Sequence, residues 1–206
     1  MTLSAQLWSD NADVAADVLA HPFVRGIGDG SLPRKLFAGY LAQDAFFLES
    51  FARAYALALA RSRDTATLLT LADLLAGVRQ ELGLHASYAA SWGIDMAEVE
   101  PLPATLAYTE FLLATASTRD LGVIYAAMTP CMRLYAWLGA SLDAGRAGPY
   151  AQWVQTYADP GFDEIACALE RLLDEAGDIP GVRDAYRRAM QLELAFFEAA
   201  FAQPSA

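Results

Sequence analysis

The chain has 206 residues, 55% of them hydrophobic and 19% charged, so it can bury a sizeable core and is not a disordered polymer. A formal net charge of −11, from 25 acids against 14 bases, repels phosphate backbones and anionic membrane surfaces, which excludes nucleic acid and membrane as partners. Two cysteines, Cys131 and Cys167, cannot make a disulfide framework, and the most apolar stretch, Ala54–Ala60, is too short to span a bilayer. The first residues, Met1–Asp10, lack the basic segment of a secretory signal, so a cytoplasmic protein is expected.

Helix punctuation runs the length of the chain, and 42 alanines favour helix throughout. A first helix is expected from Leu3 to Leu19, ending near His21-Pro22. The alternate glycines Gly26, Gly28 and Gly30 predict a loop, with Ser31 as N-cap and Pro33 in the first turn of the next helix. That helix should run to Arg61, because Phe37, Tyr40, Leu41, Phe47, Leu48, Phe51 and Tyr55 recur at three- and four-residue steps and make a buried stripe. A third helix follows Asp64 and ends near Gly93. Pro101 and Pro103 precede a fourth, Ala104–Ser117, and Asp120 caps a fifth that reaches Leu142. Turns at Gly145–Pro149 and Asp159-Pro160-Gly161 flank a short helix, Tyr150–Tyr157. Helices Phe162–Ala176 and Pro180–Phe201 close the chain. Alternation never persists long enough for a strand, and no linker divides the chain. The expected fold is a single all-α domain over 1–206, a multi-helix bundle.

Asp44 stands out because it lies within the aromatic stripe. A lone buried carboxylate costs several kcal/mol unless it is paired, and even an unpaired neutral polar group costs ~2–7 kcal/mol. Its spacing fits a capped or arginine-paired core residue, or a carboxylate that holds a nitrogenous ligand between aromatic faces. Cys131 follows Pro130, with Tyr135 one turn on. A proline in the helix frees backbone groups that could lower the thiol's pKa and make it a nucleophile, although most such cysteines are small hydrophobes. Cys167 has no such company and reads as core. Glu193 and Glu198 on the last helix are equivalent by periodicity alone. Glu81 and His85 have the i, i+4 spacing of a helical metal pair, but the chain has only one other histidine, His21, and no Glu-x-x-His repeat. No metal or cofactor is expected.

Together these segments resemble the TenA/thiaminase II family. The likeness is carried by His21-Pro-Phe-Val-Arg-Gly-Ile-Gly-Asp-Gly-Ser-Leu32, Tyr40-Leu-Ala-Gln-Asp-Ala-Phe-Phe47, Tyr108-Thr109 and Pro130-Cys131 with Tyr135. It continues through Tyr150–Tyr157 and Glu193-Leu-Ala-Phe-Phe197. The resemblance implies a heme-oxygenase-like helical fold, a homotetramer, and no heme or metal. It also implies a hydrolase of 4-amino-2-methylpyrimidine compounds, releasing hydroxymethylpyrimidine from aminomethylpyrimidine or thiamin in thiamin salvage. By matching position, Cys131 is the implied nucleophile and Glu193 the acid–base residue. Asp44 holds the aminopyrimidine, and Phe47, Tyr108, Tyr135, Tyr157 and Phe196 are implied to line the site. Two departures stand out: Phe47 replaces a tyrosine, and Phe197 a tryptophan. The competing readings are a non-catalytic pyrimidine-binding or regulatory helical protein, and a metal-dependent oxygenase built on Glu81 and His85.

Overall fold

A computed structural model describes residues 1–93 and 99–202. Among them every regular element is a helix, in the order α1 Leu3–Asp10, α2 Ala12–Ala20, α3 Pro22–Gly28, α4 Arg34–Arg61, α5 Thr65–Trp92, α6 Pro103–Thr118 and α7 Leu121–Ser141. A 3-10 turn at Gly148–Tyr150 leads into α8 Ala151–Tyr157, followed by α9 Pro160–Ala176 and α10 Val182–Phe201. The described residues hold no strand.

Four points of the punctuation differ from the sequence expectation. The first helix is broken at Asn11, whose side-chain amide donates to the Leu7 carbonyl at 2.8 Å and so competes with the helix's own ladder. The glycine run is helical rather than a loop: α3 continues to Gly28, capped at its start by His21 Nδ1, which accepts from the Phe23 N–H. Gly26 is there for packing, since a Cβ would meet the Leu32 backbone at about 3.1 Å; only Gly30 needs its positive φ of 77°. Ser31 is not the N-cap of α4. Pro33 holds that position, and the Ser31 N–H donates instead to Asp29 Oδ1 at 3.0 Å. The last helix begins at Val182 rather than Pro180. Asp64 caps α5, its carboxylate accepting from the Thr67 N–H at 2.9 Å, whereas Asp120 holds the N-cap position of α7 with no side-chain cap hydrogen bond.

Helix α7 is the hub of the bundle. It packs against α10 and α9, while α4 packs on α5 and α6, and α10 also touches α4 and α6. The predicted stripe on α4 is buried from Phe37 to Tyr55. Arg133 ties α7 to α9 through a two-pronged pair with Glu170, 2.7 Å at each contact, and a 2.6 Å contact to Asp163. The same guanidinium donates to Cys167 Sγ at 3.3 Å, so this thiol belongs to a half-buried polar cluster rather than to the apolar core.

Gly139 brings the backbones of α7 and the end of α8 into contact. A Cβ there would stand 2.3 Å from the Tyr157 carbonyl carbon, a clash that only backbone movement relieves. Gly139→Ala is therefore expected to destabilise the fold by about 3 kcal/mol, read as a lower urea midpoint, despite alanine's better helix propensity. An unchanged midpoint would show that the two backbones are not held this close.

Candidate active site

Four helices each contribute one or two side chains to a slit in the middle of the bundle. From α4 come Asp44 and Phe47, from α6 Tyr108, from α7 Cys131 and Tyr135, and from α10 Glu193 and Phe196. The slit holds about 170 Å³ of space between atoms, none of it wide enough for a water molecule, so it is closed as it stands. The side chains lining it are seven of the eight residues that the family resemblance implies for the site. Within each helix Asp44 and Phe47, Cys131 and Tyr135, and Glu193 and Phe196 are three or four residues apart and share a face. Aromatic rings wall the slit. Phe47 lies 4.7 Å from Tyr108 and 6.1 Å from Phe196, centroid to centroid. Behind them Phe197 stacks on Tyr40 and Tyr135 at 6.0 and 5.9 Å.

Tyr157, the eighth, sits one layer further out. Its ring packs edge-on against Tyr135 at 4.8 Å, and its hydroxyl donates to Glu81 Oε1 at 2.6 Å. It lines a separate small recess shared with His85 and Trp153.

Glu193 is 2% exposed and accepts a 2.7 Å hydrogen bond from the Tyr108 hydroxyl. Burial, reinforced by the negative charge of Asp44, pushes its pKa up to about 8 against the opposing bonds from Tyr108 and Cys131. The thiol of Cys131 lines the slit with that carboxyl group, and each acts on the other's titration. Burial, together with the charges of Glu193, Glu81 and Asp44, holds the thiol well above the usual cysteine range. This corrects the expectation that Pro130 would favour a thiolate. Helix α7 runs through Pro130 unbroken, and the acids around the sulfur outweigh any help from the backbone.

Sequence reading missed the partner of Asp44. His85 Nε2 lies 2.6 Å from Asp44 Oδ2, and Nδ1 lies 2.7 Å from the Glu81 carbonyl. A carbonyl only accepts, so Nδ1 carries a proton and Nε2 faces the carboxylate. Burial opposes a charge on the ring, but the bond to Asp44 and the charges of Asp44 and Glu81 outweigh it, raising His85 to about 9. The pair is thus an imidazolium–carboxylate couple that leaves Asp44 Oδ1 for another donor. Glu81 is raised to about 7 by burial and the Asp44 charge, against His85 and Tyr157. The i, i+4 pair is therefore engaged in hydrogen bonds, and no group of three or more His, Cys, Asp or Glu is arranged to hold a metal ion among the described residues.

Its lining is that of a site for a flat ring with a donor edge: aromatic faces, a carboxylate, and a thiol beside a carboxyl group that holds its proton at neutral pH, which the side chains must part to admit a ring.

The chain is similar to known proteins over most of its length. The chain is 36% identical over 184 residues to the aminopyrimidine aminohydrolase of Halalkalibacterium halodurans, covering 85% of this chain and 82% of that protein. It is also 36% identical over 215 residues to the bifunctional TH2 protein, mitochondrial, of Arabidopsis thaliana, covering 89% of this chain but 35% of that longer protein. The crystal structure of a TenA family transcription regulator from Silicibacter superposes with a TM-score of 0.90 at 27% identity, covering 96% of both chains. A Shewanella denitrificans domain described as having a heme oxygenase-like fold superposes at 0.66 with 17% identity, over 95% of this chain and 90% of that one. The bundle is thus heme-oxygenase-like. The TENA/THI-4/PQQC family profile matches residues 8–202, and the chain belongs to that family.

Proposed function

We propose that the protein is an aminopyrimidine hydrolase of thiamin salvage, releasing hydroxymethylpyrimidine from aminomethylpyrimidine or thiamin without a cofactor. The observation that carries this reading is that Asp44, Cys131 and Glu193, from three helices far apart in sequence, line one tight aromatic slit.

The ring lies between Phe47, Tyr108, Tyr135 and Phe196. Asp44, one oxygen fixed by His85, accepts from the exocyclic amine with the other. The Cys131 sulfur adds to the ring carbon next to the one that bears the methylene substituent. The thiol proton passes to the Glu193 carboxylate, the π pair of the adjacent carbon–nitrogen bond moves to the ring nitrogen, and Glu193 hands that same proton on to the nitrogen. Attacked carbon and protonated nitrogen are neighbours in the ring, as thiol and carboxyl are neighbours in the slit. With aromaticity lost, the amine lone pair pushes through the ring and expels the leaving group from the methylene carbon. Water adds to the exocyclic double bond, and reversal of the first step frees the sulfur. Covalent addition divides one difficult displacement into easier steps.

The reading includes a cytoplasmic homotetramer. It is consistent with exposed Leu57, Leu68, Leu69 and Leu106, and with the lack, among the described residues, of any helix long and apolar enough to cross a membrane.

The test is direct: purified protein incubated with aminomethylpyrimidine and with thiamin should yield hydroxymethylpyrimidine from at least one. Calorimetric binding of the pyrimidine without any product, at micromolar enzyme, would replace the hydrolase with a binding protein.

A further inference from the structure

His85 is buried on α5, and both of its ring nitrogens face acceptors. Nδ1 is 2.7 Å from the Glu81 carbonyl, one turn back on the same helix, and Nε2 is 2.6 Å from Asp44 Oδ2 across the gap to α4. Two acceptors call for two ring protons, so the positive charge of this ring is a consequence of where it is held. The anchor to its own helix also sets the angle of the ring and keeps Nε2 aimed at Asp44. The charge of Asp44 acts on six other ionisable groups: Tyr40 of α4, Glu81 of α5, Cys131 and Tyr135 of α7, Tyr157 of α8 and Glu193 of α10. Helix α6 presents Tyr108 to the same slit, and Tyr88 lines the small recess beside His85. None of these can carry a positive charge, and no lysine or arginine lines either space among the described residues. The counter-charge of Asp44 is therefore that of His85, and a buried carboxylate deprived of such a partner takes up a proton more readily.

We propose that His85 is a positioning residue that sets the ring specificity of the slit: it holds Asp44 as a pure acceptor, so that a pyrimidine with an amine at that edge is taken and one with an oxo group there is turned away. The inference deepens the hydrolase reading and rests on it. A carboxylate has no proton to give, so it bonds an N–H edge and meets a carbonyl oxygen lone pair to lone pair. A carboxylic acid in the same place could donate to that carbonyl and would take either ring. Discrimination between amine and oxo group thus depends on where one proton sits, and the imidazolium keeps it on the side of Asp44 away from the ligand. His85 holds its charge below a pKa of about 9, which covers the neutral range. Because these bonds exist before any covalent step, the effect falls on binding.

The test measures by calorimetry, between about pH 6 and 8, the affinities of hydroxymethylpyrimidine and of its analogue with an oxo group in place of the ring amine. The wild type should prefer the amine about a hundredfold or more. His85→Leu should cut that preference at least about tenfold, and His85→Gln, which keeps a neutral donor toward Asp44, by a smaller factor. Dividing each variant's preference by that of the wild type at the same pH cancels the titration of the ligands, and of Glu193 and Cys131, which face an edge the two rings share. That quotient should fall further as pH is lowered, because Asp44 beside Glu81 and Glu193 then gains a proton. If His85→Leu does not fold, His85→Gln and the wild type decide. A wild type that binds both rings alike, or variants that lose affinity equally for both, overturns the proposal. A wild type that binds neither ring, and forms no product from aminomethylpyrimidine or thiamin, overturns the hydrolase reading itself.

Discussion

Cys131→Ser is expected to lower kcat by at least about 10³-fold, some 4 kcal/mol of barrier, while the dissociation constant for hydroxymethylpyrimidine changes by less than about threefold. The asymmetry follows from the division of labour in the slit. Ring binding rests on the aromatic walls and on Asp44, none of which the substitution touches. Turnover requires the sulfur, because a serine hydroxyl in the same dry setting, among Glu193, Glu81 and Asp44, is far harder to deprotonate than a thiol and a poorer nucleophile. Steady-state kinetics with calorimetry separates the two quantities. Near-full turnover in the variant would make Cys131 a packing residue and remove the covalent route.

The second large effect belongs to Glu193. Glu193→Gln preserves shape and can still hydrogen-bond Tyr108, but it cannot carry a proton from sulfur to ring nitrogen, so kcat/KM should fall about 10²–10⁴-fold. The pH profile gives a sharper signature. Below a pKa of about 8 the carboxyl group is protonated, and the thiol beside it is protonated across the whole neutral range. With both protonated, neither can take the other's proton. The reactive form has one proton between them, which appears as pH rises through about 8. Wild-type kcat/KM on thiamin, a permanent cation, should therefore climb through that region, and Glu193→Gln should flatten the climb. A variant with the wild-type rate, or with the same ascending limb, would show that another group handles the proton.

Much of this arrangement is legible in the chain because it follows from helical repeat. The spacing of Tyr40, Asp44, Phe47 and Phe51 places an acid among rings on one face of α4, and those residues are buried together. The start of α5 just after Asp64 is equally local. Where the reading failed, the deciding contact lies elsewhere in the chain or competes within a single turn. Nothing within α5 reveals that His85 faces Asp44, 41 residues earlier, so the sequence left the Glu81–His85 pair without a role. The glycines of α3 look like loop residues until the close approach of Leu32 to Gly26 is seen. Asn11 ends α1 through its own side chain, which helix periodicity alone does not register. Periodicity also left Glu193 and Glu198 equivalent. In the bundle the first is buried against Tyr108, while the second is exposed near His21. The thiol expectation failed on magnitude: burial among three acids dominates whatever Pro130 does to the nearby backbone.

The most direct test is a crystal structure with hydroxymethylpyrimidine bound. The account predicts the ring in the slit, its exocyclic amine on Asp44, a ring nitrogen on Glu193, and Cys131 Sγ within about 4 Å of the adjacent ring carbon, the approach from which bonds form. A ring seated only in the outer recess, or one that reaches Asp44 while the sulfur faces away, would contradict it.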